Sequence, residues 1–548
     1  MSRPAPSYVS GPSSEPLLGQ TLWQALESAA ERWPDADALV SRHQLQRYSW
    51  AQLLAESRRA ARGFLALGIR KGDRVAIWSP NRSEWLVAQY GLAALGAIAV
   101  NVNPAFRRDE LAYLLGHSGA NAIVLAPSFR QHDYLDTLKA ARSDAPKLEH
   151  VVVLGDSAPA GMLSWPAFLA RGESVPEARV DEAAARTGFD EPVSLQYTSG
   201  TTGRPKGAAL SHHNILNNGR FVGARQRFTH ADRICLPVPF FHCFGIVLGA
   251  MASVVHGATL VLTGEAFEPK SVLEAVAAER CTALYGVPMM FIAMLAEPTF
   301  AQHDLSTLRT GSMGGAPCPE AVMRQAIDRM GLAEITVCYG MTETSPISFQ
   351  SLPEDGLDTR CATVGSVHPH VECKIVDPSS GAVVPRGQAG ELCTRGYSVM
   401  LGYWEDPEAT GRAIDAARWM HTGDLAVMRE DGTVQIVGRS KDTVIRGGEN
   451  IYPREVEEFI YTLPKVADVQ VVGVPDPKYG EELCAWIRLK PGETWTADEL
   501  REACRGRIAT YKIPRHVKFV EEYPVTASGK VQKFRIRDQA IRELGLTA

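Results

Sequence analysis

A loop rich in glycine and threonine, preceded by an apolar run and followed by a potential helix start, constrains the fold most. It lies between Tyr197 and His212 and reads YTSGTTGRPKGAALSH. Glycines let successive backbone N–H groups turn toward one point, and the hydroxyls add donors to that concavity. Arg204 and Lys206 add positive charge for a polyphosphate. Strand, glycine-rich loop and helix are a common way to hold phosphate, so the segment predicts a phosphate site.

The loop differs from the P-loop of common nucleotide hydrolases. Pro205 stands where that pattern has glycine before its lysine, and Gly207 follows Lys206 in place of Ser or Thr. The alternative is a surface loop that is merely rich in glycine and threonine. The length of the cationic Gly/Thr run favours phosphate binding over that alternative.

Length and composition favour a multidomain globular protein. The chain has 548 residues, 45% of them hydrophobic and 22% charged, with a net charge of −5, which argues against a general nucleic-acid binder. Its ten cysteines have no zinc-ligand spacing and predict reduced thiols in a cytoplasmic protein. The first twenty residues lack the apolar core of a secretory signal. His256-Gly257 interrupts the most apolar window, Phe244 to Leu262, so we expect core and no transmembrane segment.

The order of the predicted elements indicates an α/β fold. Helical patterns alternate with short apolar strands before and after the phosphate loop, as in sheets covered by helices on both faces. From Ala362 the pattern changes to short strands separated by Gly, Pro and Asp turns, and a compact α+β set begins near Gly438. We therefore predict a disordered tail at 1–20 and a large domain at 21–438 with two parallel or mixed sheets and a small β-rich subdomain. A small mobile α+β domain would occupy 439–548.

Further motifs carry groups that could bind the parts of a nucleotide. Tyr339 to Glu343 reads YGMTE and offers a ring for a base, a hydroxyl for a phosphate and a carboxylate for Mg²⁺. Gly311 to Pro317 would admit a flat group, and the aspartate of HTGD at His421 to Asp424 could accept two ribose hydroxyls. The segment Gly438 to Glu457 mixes Arg and Lys with Gly, and Lys530 ends PVTASGK. Taken singly, each motif would also fit an ordinary solvated surface.

Together the motifs resemble the adenylate-forming superfamily of acyl-CoA synthetases, peptide-synthetase adenylation domains and firefly luciferase. Five motifs occur in the order and at the spacing of that superfamily: YTSGTTGRPKG, YGMTE, HTGD, GRSKD with GGENIYP, and PVTASGK. The resemblance covers residues 20 to 545. Within the superfamily, two stretches look closest to medium-chain fatty acyl-CoA synthetases: GYSVMLGYW and VGRSKDTVIRGGENIYPREVE. The resemblance implies ATP, Mg²⁺ and CoA as reaction partners. It also implies formation of an acyl-adenylate with release of pyrophosphate, followed by acyl transfer to CoA with release of AMP.

The resemblance also implies roles for individual residues. Tyr339 would stack on adenine, Thr342 would contact the α-phosphate, and Asp424 would take the ribose hydroxyls. Glu343 and Thr198 would hold Mg²⁺. The implied catalytic residues are Lys530, Glu343, Thr342, Lys206 and His242. The implied nucleotide- and CoA-binding residues are Thr198, Ser199, Gly200, Thr201, Thr202, Gly203, Lys206, Gly314, Gly315, Ala316, Tyr339, Gly340, Thr342, Asp424, Arg439, Lys441, Arg446, Gly447 and Gly448.

The resemblance further implies that the small domain moves between the two half-reactions. Lys530 would bridge the carboxylate and the α-phosphate during adenylation. Rotation at the hinge position, Lys441, would then turn Arg446 and its two following glycines toward CoA. The acceptor is expected to be free CoA, since no carrier-protein domain follows.

The substrate is expected to be a carboxylic acid without an ammonium group. Amino-acid-activating relatives usually have an Asp within the stretch that reads FFHCFG here, at Phe240 to Gly245. A buried ammonium without a counter-ion costs several kcal/mol. His242 would act as a gate beside the carboxylate or as an ordinary core histidine. The candidates for an apolar acyl pocket are Val287, Pro288, Met289, Met290 and Cys338.

We expect a medium- to long-chain fatty acid as the substrate, and several alternatives stay open. An aryl or other small carboxylate could take its place, and a luciferase-type oxygenation is compatible with the motifs. A nucleotide-binding protein that has lost catalysis is the alternative outside enzymes. A homodimer is compatible with the sequence, which does not determine the oligomeric state.

Overall fold

The structure, a computed structural model, describes residues 5–198, 204–316, 318–439, 442–446, 449–526 and 530–546. The chain divides into two compact units. The larger unit comprises Ser10–Glu372 and Thr394–Met420. The smaller unit comprises Met1–Val9, Cys373–Cys393 and His421–Ala548. No helix in the described part of the chain combines the length and apolar character needed to cross a membrane.

Most of the strands are short, and they are distributed along the whole described chain. In chain order they are β1 (Tyr8–Ser10), β2 (Asp37–Ser41), β3 (Gln46–Ser49), β4 (Arg74–Trp78), β5 (Ile98–Asn101), β6 (Ala122–Leu125), β7 (Ser128–Phe129), β8 (His132–Asp133), β9 (His150–Val153), β10 (Leu163–Ser164), β11 (Pro192–Thr198), β12 (Lys206–Ser211), β13 (Arg233–Leu236), β14 (Thr259–Leu262), β15 (Ala283–Gly286), β16 (Thr310–Gly314), β17 (Glu334–Gly340), β18 (Ile347–Gln350), β19 (Ser366–Val367), β20 (Val371–Val376), β21 (Ala389–Gly396), β22 (Gly402–Tyr403), β23 (Met420–Met428), β24 (Val434–Arg439), β25 (Val444–Arg446), β26 (Glu449–Ile451), β27 (Val466–Asp476), β28 (Gly480–Leu489) and β29 (His516–Phe519).

The helices alternate with these strands through most of the larger unit. They are α1 (Leu22–Arg32), α2 (Trp50–Ala66), α3 (Ser83–Ala94), α4 (Arg108–Ser118), α5 (Tyr134–Ala141), α6 (Trp165–Gly172), α7 (Ala178–Ala184), α8 (His212–Arg225), α9 (Ala252–His256), α10 (Pro269–Glu279), α11 (Pro288–Leu295), α12 (Glu320–Met330), α13 (Leu357–Ala362), α14 (Pro407–Ala413), α15 (Pro453–Tyr461), α16 (Ala497–Cys504) and α17 (Lys533–Leu544). A π-helical segment, Phe244–Met251, leads into α9. Several helices begin at capping boxes, such as that of Thr21 with Gln24 before α1.

Two mixed sheets form the framework of the larger unit, which confirms the predicted fold class. The eight-stranded sheet has the order β10-β9-β6-β4-β5-β11-β12-β22, and the nine-stranded sheet has the order β19-β18-β17-β16-β15-β13-β14-β2-β3. Parallel pairing runs from β10 to β11 in the first sheet and from β17 to β2 in the second. Antiparallel strands complete one edge of the first sheet and both edges of the second.

The two faces of strand β4 lie in two different hydrophobic cores. Val75 and Ile77 join the core that also contains residues of the nine-stranded sheet, whereas Ala76 and Trp78 join a second core with α4 and α5. Successive strand residues point to opposite faces, so a strand buried on both faces reads as an unbroken apolar run. Helix α3 is apolar around most of its circumference because it lies in the first of these cores.

The smaller unit is built mainly on two further sheets. One has the order β1-β20-β21-β23-β24, and the other has the order β26-β25-β28-β27 with β29 beside β28. The long antiparallel pair of β27 and β28 packs between α15 on one face and α17 on the other, which matches the predicted α+β set. The unit also takes in Cys373–Cys393 and His421–Gly438, which the sequence analysis assigns to the large domain.

The prediction of a disordered tail at 1–20 needs correction. Tyr8–Ser10 form strand β1, at the edge of the first sheet of the smaller unit. The Ser7 N–H donates to the carbonyl of Val384 at 2.8 Å, and the Ser7 carbonyl accepts from the Ile375 N–H at 2.9 Å. Pairing of this kind uses backbone groups alone, so a segment rich in Pro and Ser can enter a sheet without an apolar signal.

Two alanine substitutions test how closely the strands of the larger unit pack. A Cβ at Gly311 in β16 would lie 2.0 Å from the carbonyl oxygen of Leu284 in β15, so Gly311→Ala must displace backbone. We expect it to lower the free energy of unfolding by about 3 kcal/mol. Gly411→Ala is the control, because a Cβ there meets nothing within 4 Å and lies inside helix α14.

The control should instead raise stability by up to about 1 kcal/mol through helix propensity. Urea unfolding followed by circular dichroism measures both variants. Equal stabilities for Gly311→Ala and the unmodified protein would show that the sheet tolerates a wider strand spacing there.

Candidate nucleotide site

The predicted phosphate loop connects two antiparallel strands. Thr198 ends β11 and Lys206 begins β12, and these two residues are paired across the strands. The predicted residues between them, Ser199, Gly200, Thr201, Thr202 and Gly203, lie outside the described residues. Helix α8 begins at His212, as predicted, but Lys206–Ser211 form strand β12 before it, which corrects the predicted strand–loop–helix order. Five residues of strand span about 17 Å, so the N-terminus of α8 is too far along the chain from Lys206 to serve that phosphate site.

Contacts of aromatic side chains hold the residues that flank the loop. The Tyr197 hydroxyl lies 2.8 Å from Nδ1 of His117, and burial raises the pKa of Tyr197. A Cβ at Gly207 would lie 3.2 Å from the Tyr197 ring. The Tyr113 hydroxyl donates to the Pro205 carbonyl at 3.0 Å, and the Arg204 guanidinium lies 5.3 Å from the centroid of the Tyr113 ring.

A buried carboxylate gathers groups from three chain segments beside the loop. Glu343, only 6% exposed, sits in the single helical turn after β17. Its Oε1 atom accepts a hydrogen bond from the Thr198 hydroxyl at 3.3 Å and from the Tyr403 hydroxyl at 2.8 Å. The Lys206 ammonium lies 5.0 Å from the centroid of the Tyr403 ring. These four residues, Thr198, Lys206, Glu343 and Tyr403, form what we call the carboxylate cluster.

Tyr403 is the member of the carboxylate cluster to which the sequence analysis gave no role. Burial raises the pKa of Tyr403, and the adjacent Glu343 carboxylate raises it further. The phenol therefore stays protonated and donates to Glu343. Strand β22 brings Tyr403 to the cluster by pairing with β12. Because this pairing is distant in the chain, the only sequence signal for Tyr403 is its place in the run GYSVMLGYW.

His242 and Thr342 lie at the two ends of a short chain of contacts. The Cys243 thiol lies 3.7 Å from the Thr342 hydroxyl and 3.6 Å from Nδ1 of His242. The Phe244 N–H donates to Nδ1 at 3.1 Å, so in the neutral ring the proton belongs on Nε2. Asn81 holds the same loop, accepting from the Phe240 N–H at 2.8 Å and donating to the Val238 carbonyl at 2.9 Å.

The residues predicted to surround the base lie at the ends of two neighbouring parallel strands. Gly314 ends β16 and pairs with Cys338 in β17, which continues to Tyr339 and Gly340. A Cβ at Gly340 would lie 1.7 Å from the Pro346 carbonyl oxygen, so only glycine fits. Gly315 turns the chain with a φ of 80°, and the exposed Ala316 follows it. The carboxyl ends of parallel strands are the usual place for a nucleotide in α/β proteins.

The smaller unit carries the predicted ribose ligand. Asp424 in β23, which is 7% exposed, accepts a hydrogen bond from Nε of Arg439 in β24 at 3.0 Å. The backbone of the HTGD turn is held by hydrogen bonds from the Gly423 N–H to Oε1 of Glu391 at 3.2 Å and from the Asp424 N–H to the Thr422 hydroxyl at 3.1 Å. The two predicted residues therefore form one carboxylate–guanidinium pair.

The remaining predicted residues of the smaller unit are placed only in part. Arg446 forms a bidentate ion pair with the buried Glu482 and lies 4.2 Å from the centroid of the Tyr479 ring. The bond to Glu482 raises the pKa of Arg446. The Lys530 backbone makes two hydrogen bonds to Thr526, its N–H donating to the hydroxyl and its carbonyl accepting from the Thr526 N–H. Lys441, Gly447 and Gly448 lie outside the described residues.

The α/β fold and the groups found in each unit are typical of a nucleotide-dependent enzyme. The larger unit combines a lysine-flanked loop with a buried carboxylate, and the smaller unit presents a carboxylate–guanidinium pair. The model of the AMP-binding enzyme family matches residues 26–404, and the model of the AMP-binding enzyme C-terminal domain matches residues 455–530. The chain therefore belongs to the AMP-binding enzyme family, within the adenylate-forming superfamily.

Curated relatives and solved structures agree with this assignment. The putative acyl-CoA synthetase YngI of Bacillus subtilis strain 168 is 46% identical over 545 residues, which cover 97% of this chain and 99% of YngI. The mitochondrial medium-chain acyl-CoA ligase ACSF2 of Danio rerio is 42% identical over 98% of this chain and 91% of its own. The anthranilate CoA ligase AuaEII, solved with anthranoyl-AMP, is 29% identical with a TM-score of 0.88, over 97% of this chain and 99% of its own.

Removal of the Tyr403 hydroxyl tests the carboxylate cluster. Tyr403→Phe deletes a donor to the Glu343 carboxylate at 2.8 Å. Hydrogen bonds to charged groups contribute about 1.5–3 kcal/mol, so we expect ATP-dependent pyrophosphate release to fall about tenfold or more. Tyr48→Phe is the control, since the Tyr48 hydroxyl contacts Gln46 on the surface. Unchanged pyrophosphate release in Tyr403→Phe would remove Tyr403 from the site.

Proposed function

We propose that the chain is an ATP-dependent carboxylate–CoA ligase acting on a medium- to long-chain fatty acid. The substrate carboxylate attacks the α-phosphorus of ATP, and pyrophosphate leaves. The CoA thiolate then attacks the acyl carbon, and AMP leaves with an oxygen that came from the carboxylate. The observation that carries the proposal is the carboxylate cluster, in which Thr198 and Tyr403 hold Glu343 beside Lys206.

The donor set of the carboxylate cluster fits Mg²⁺. The Glu343 carboxylate and the Thr198 hydroxyl are 3.3 Å apart, and both are hard oxygen donors of the kind that Mg²⁺ prefers. When bound, Mg²⁺ offsets the negative charge of the β- and γ-phosphates. Lys206 binds the same phosphates through its ammonium group, and Tyr403 keeps the Glu343 carboxylate oriented by donating to Oε1.

Individual residues have assigned contacts to the nucleoside in this proposal. Tyr339 stacks on adenine, with Gly314, Gly315, Ala316 and Gly340 leaving room for the flat ring. Thr342 contacts the α-phosphate. Asp424 accepts the ribose hydroxyls, and its bond to Arg439 orients the carboxylate.

The small domain, residues 439–548, acts as a mobile lid in this proposal. Lys530 bridges the substrate carboxylate and the α-phosphate, where two anions must approach each other. Rotation about Lys441 then presents Arg446, Gly447 and Gly448 to CoA. One lid thereby serves both half-reactions without rebuilding the site in the larger unit.

The apolar residues predicted to line an acyl pocket support the choice of a fatty acid. Val287, Met290 and Cys338 are buried, and Met289 is half-buried beside the same core. The loop from Phe240 to Gly245 has no carboxylate that could pair with an ammonium group. The relatives that are 42% identical are named for medium-chain acids, whereas the AuaEII ligase, named for the aryl acid anthranilate, is 29% identical. An aryl acid is accordingly the second candidate.

A panel of acids tests this function. With ATP, Mg²⁺ and CoA, we expect pyrophosphate release and thioester formation with straight-chain fatty acids, and little of either with amino acids or benzoates. Preference for an aryl acid would support the ligase activity but replace the fatty acid as its substrate. Release of inorganic phosphate without any added acid would indicate a nucleotide hydrolase, and no release with any acid would favour a binding protein.

Lys530→Ala separates the two half-reactions. We expect it to reduce adenylate formation by about 100-fold or more, because a cation beside a reacting phosphate contributes several kcal/mol. Thioester formation from supplied acyl-adenylate should be nearly unchanged. Lys518→Ala is the matched control, since Lys518 pairs with Glu543 at the surface of the same unit. Equal losses in both half-reactions would contradict the assigned role of Lys530.

A further inference from the structure

Three side chains of the kinds that can bind a metal ion meet within the smaller unit, outside the groups used in the proposed reaction. Glu391 and Cys393 lie two residues apart in β21, and His421 begins the HTGD turn in the neighbouring strand β23. Nδ1 of His421 lies 2.9 Å from Oε2 of Glu391 and 3.5 Å from the Cys393 sulfur. The three ligand atoms all lie within 4.8 Å of one another. We call these residues the Glu-Cys-His cluster.

The spacing of these atoms suits a tetrahedral zinc ion. Zinc–sulfur bonds of about 2.3 Å and zinc–nitrogen bonds of about 2.0 Å place the sulfur and nitrogen about 3.5 Å apart at a tetrahedral angle. The observed separation of Cys393 sulfur and His421 Nδ1 is 3.5 Å. The Glu391 oxygen needs to withdraw only a few tenths of an ångström from Nδ1 to make room for the ion.

The surroundings of the Glu-Cys-His cluster hold two of its members in place and leave a path to solvent. The second carboxylate oxygen of Glu391 accepts from the Gly423 N–H, and the Thr422 hydroxyl donates to the Leu392 carbonyl at 2.7 Å. These bonds tie the HTGD turn to β21 on either side of the cluster. Cys393 is fully buried, whereas the side chains of Glu391 and His421 are 17% and 34% exposed, so a hydrated ion can reach them.

We propose that Glu391, Cys393 and His421 bind one Zn²⁺ ion, with water completing its coordination. The Cys393 thiol loses its proton to solvent as the zinc–sulfur bond forms. Sulfur, imidazole nitrogen and a single carboxylate select a thiophilic ion over Mg²⁺, which requires oxygen ligands. The bound ion joins β21 to β23 and fixes the turn that precedes Asp424. This site does not depend on the proposed function, because its ligands belong to the smaller unit alone.

Cobalt titration of the metal-free protein tests the site directly. With Mg²⁺ present in excess, we expect one equivalent of Co²⁺ to give the visible bands of tetrahedral cobalt and a near-ultraviolet thiolate-to-cobalt charge-transfer band. Zinc added afterwards should abolish both. Absence of tetrahedral bands in the unmodified protein would overturn the proposal without any variant.

Matched cysteine variants assign the signal to a residue. Cys393→Ser should lose the charge-transfer band, whereas Cys361→Ser should retain it, because Cys361 is a half-buried thiol outside the Glu-Cys-His cluster. The reverse pattern would assign the metal to another thiol and overturn the proposal. Thermal unfolding provides a second measurement. Zinc should raise the Tm of the unmodified protein and leave that of His421→Gln unchanged, and an equal rise in both would contradict His421 as a ligand.

Discussion

The hydrogen bonds to the buried Glu343 carboxylate are the constraint on which the site depends. A carboxylate removed from water costs several kcal/mol unless hydrogen bonds or cations compensate it. Here the hydroxyls of Thr198 and Tyr403 do so, and Lys206 lies on the Tyr403 ring. Glu343 follows a strand of the nine-stranded sheet, whereas its partners belong to the eight-stranded sheet. The same contacts therefore join the two sheets and assemble the site.

This arrangement explains why some site residues could be predicted from the sequence and others could not. Local motifs predicted Thr198 and Glu343, since glycine, hydroxyl and carboxyl groups cluster there within a few residues. Tyr403 reaches Glu343 only because β22 pairs with β12, about two hundred residues earlier in the chain. Short strands of a mixed sheet carry no local signal for their neighbours, so sheet order must come from the structure.

The same limit applies to the Glu-Cys-His cluster and to strand β12. Zinc ligands are usually recognised by short spacings within one segment. Cys393 and His421 are 28 residues apart and come together across neighbouring strands, so no such spacing marks them. The loop after β11 was predicted to lead directly into a helix, but the apolar run Gly207 to Leu210 pairs as a strand first. By contrast, the alternation of helices and apolar strands predicted both sheets of the larger unit.

The central claim is that the Glu343 carboxylate organises Mg²⁺-bound ATP for attack by a carboxylic acid. The Mg²⁺ dependence of the exchange of labelled pyrophosphate into ATP measures this most directly, in the unmodified protein and in Glu343→Gln. The Gln variant keeps the shape and an acceptor for both hydroxyls but loses the charge. We predict that Glu343→Gln needs about tenfold or more additional Mg²⁺ for half-maximal exchange, since a carboxylate is a far better Mg²⁺ ligand than an amide. Identical Mg²⁺ dependence in the two proteins, at equal thermal stability, would contradict it.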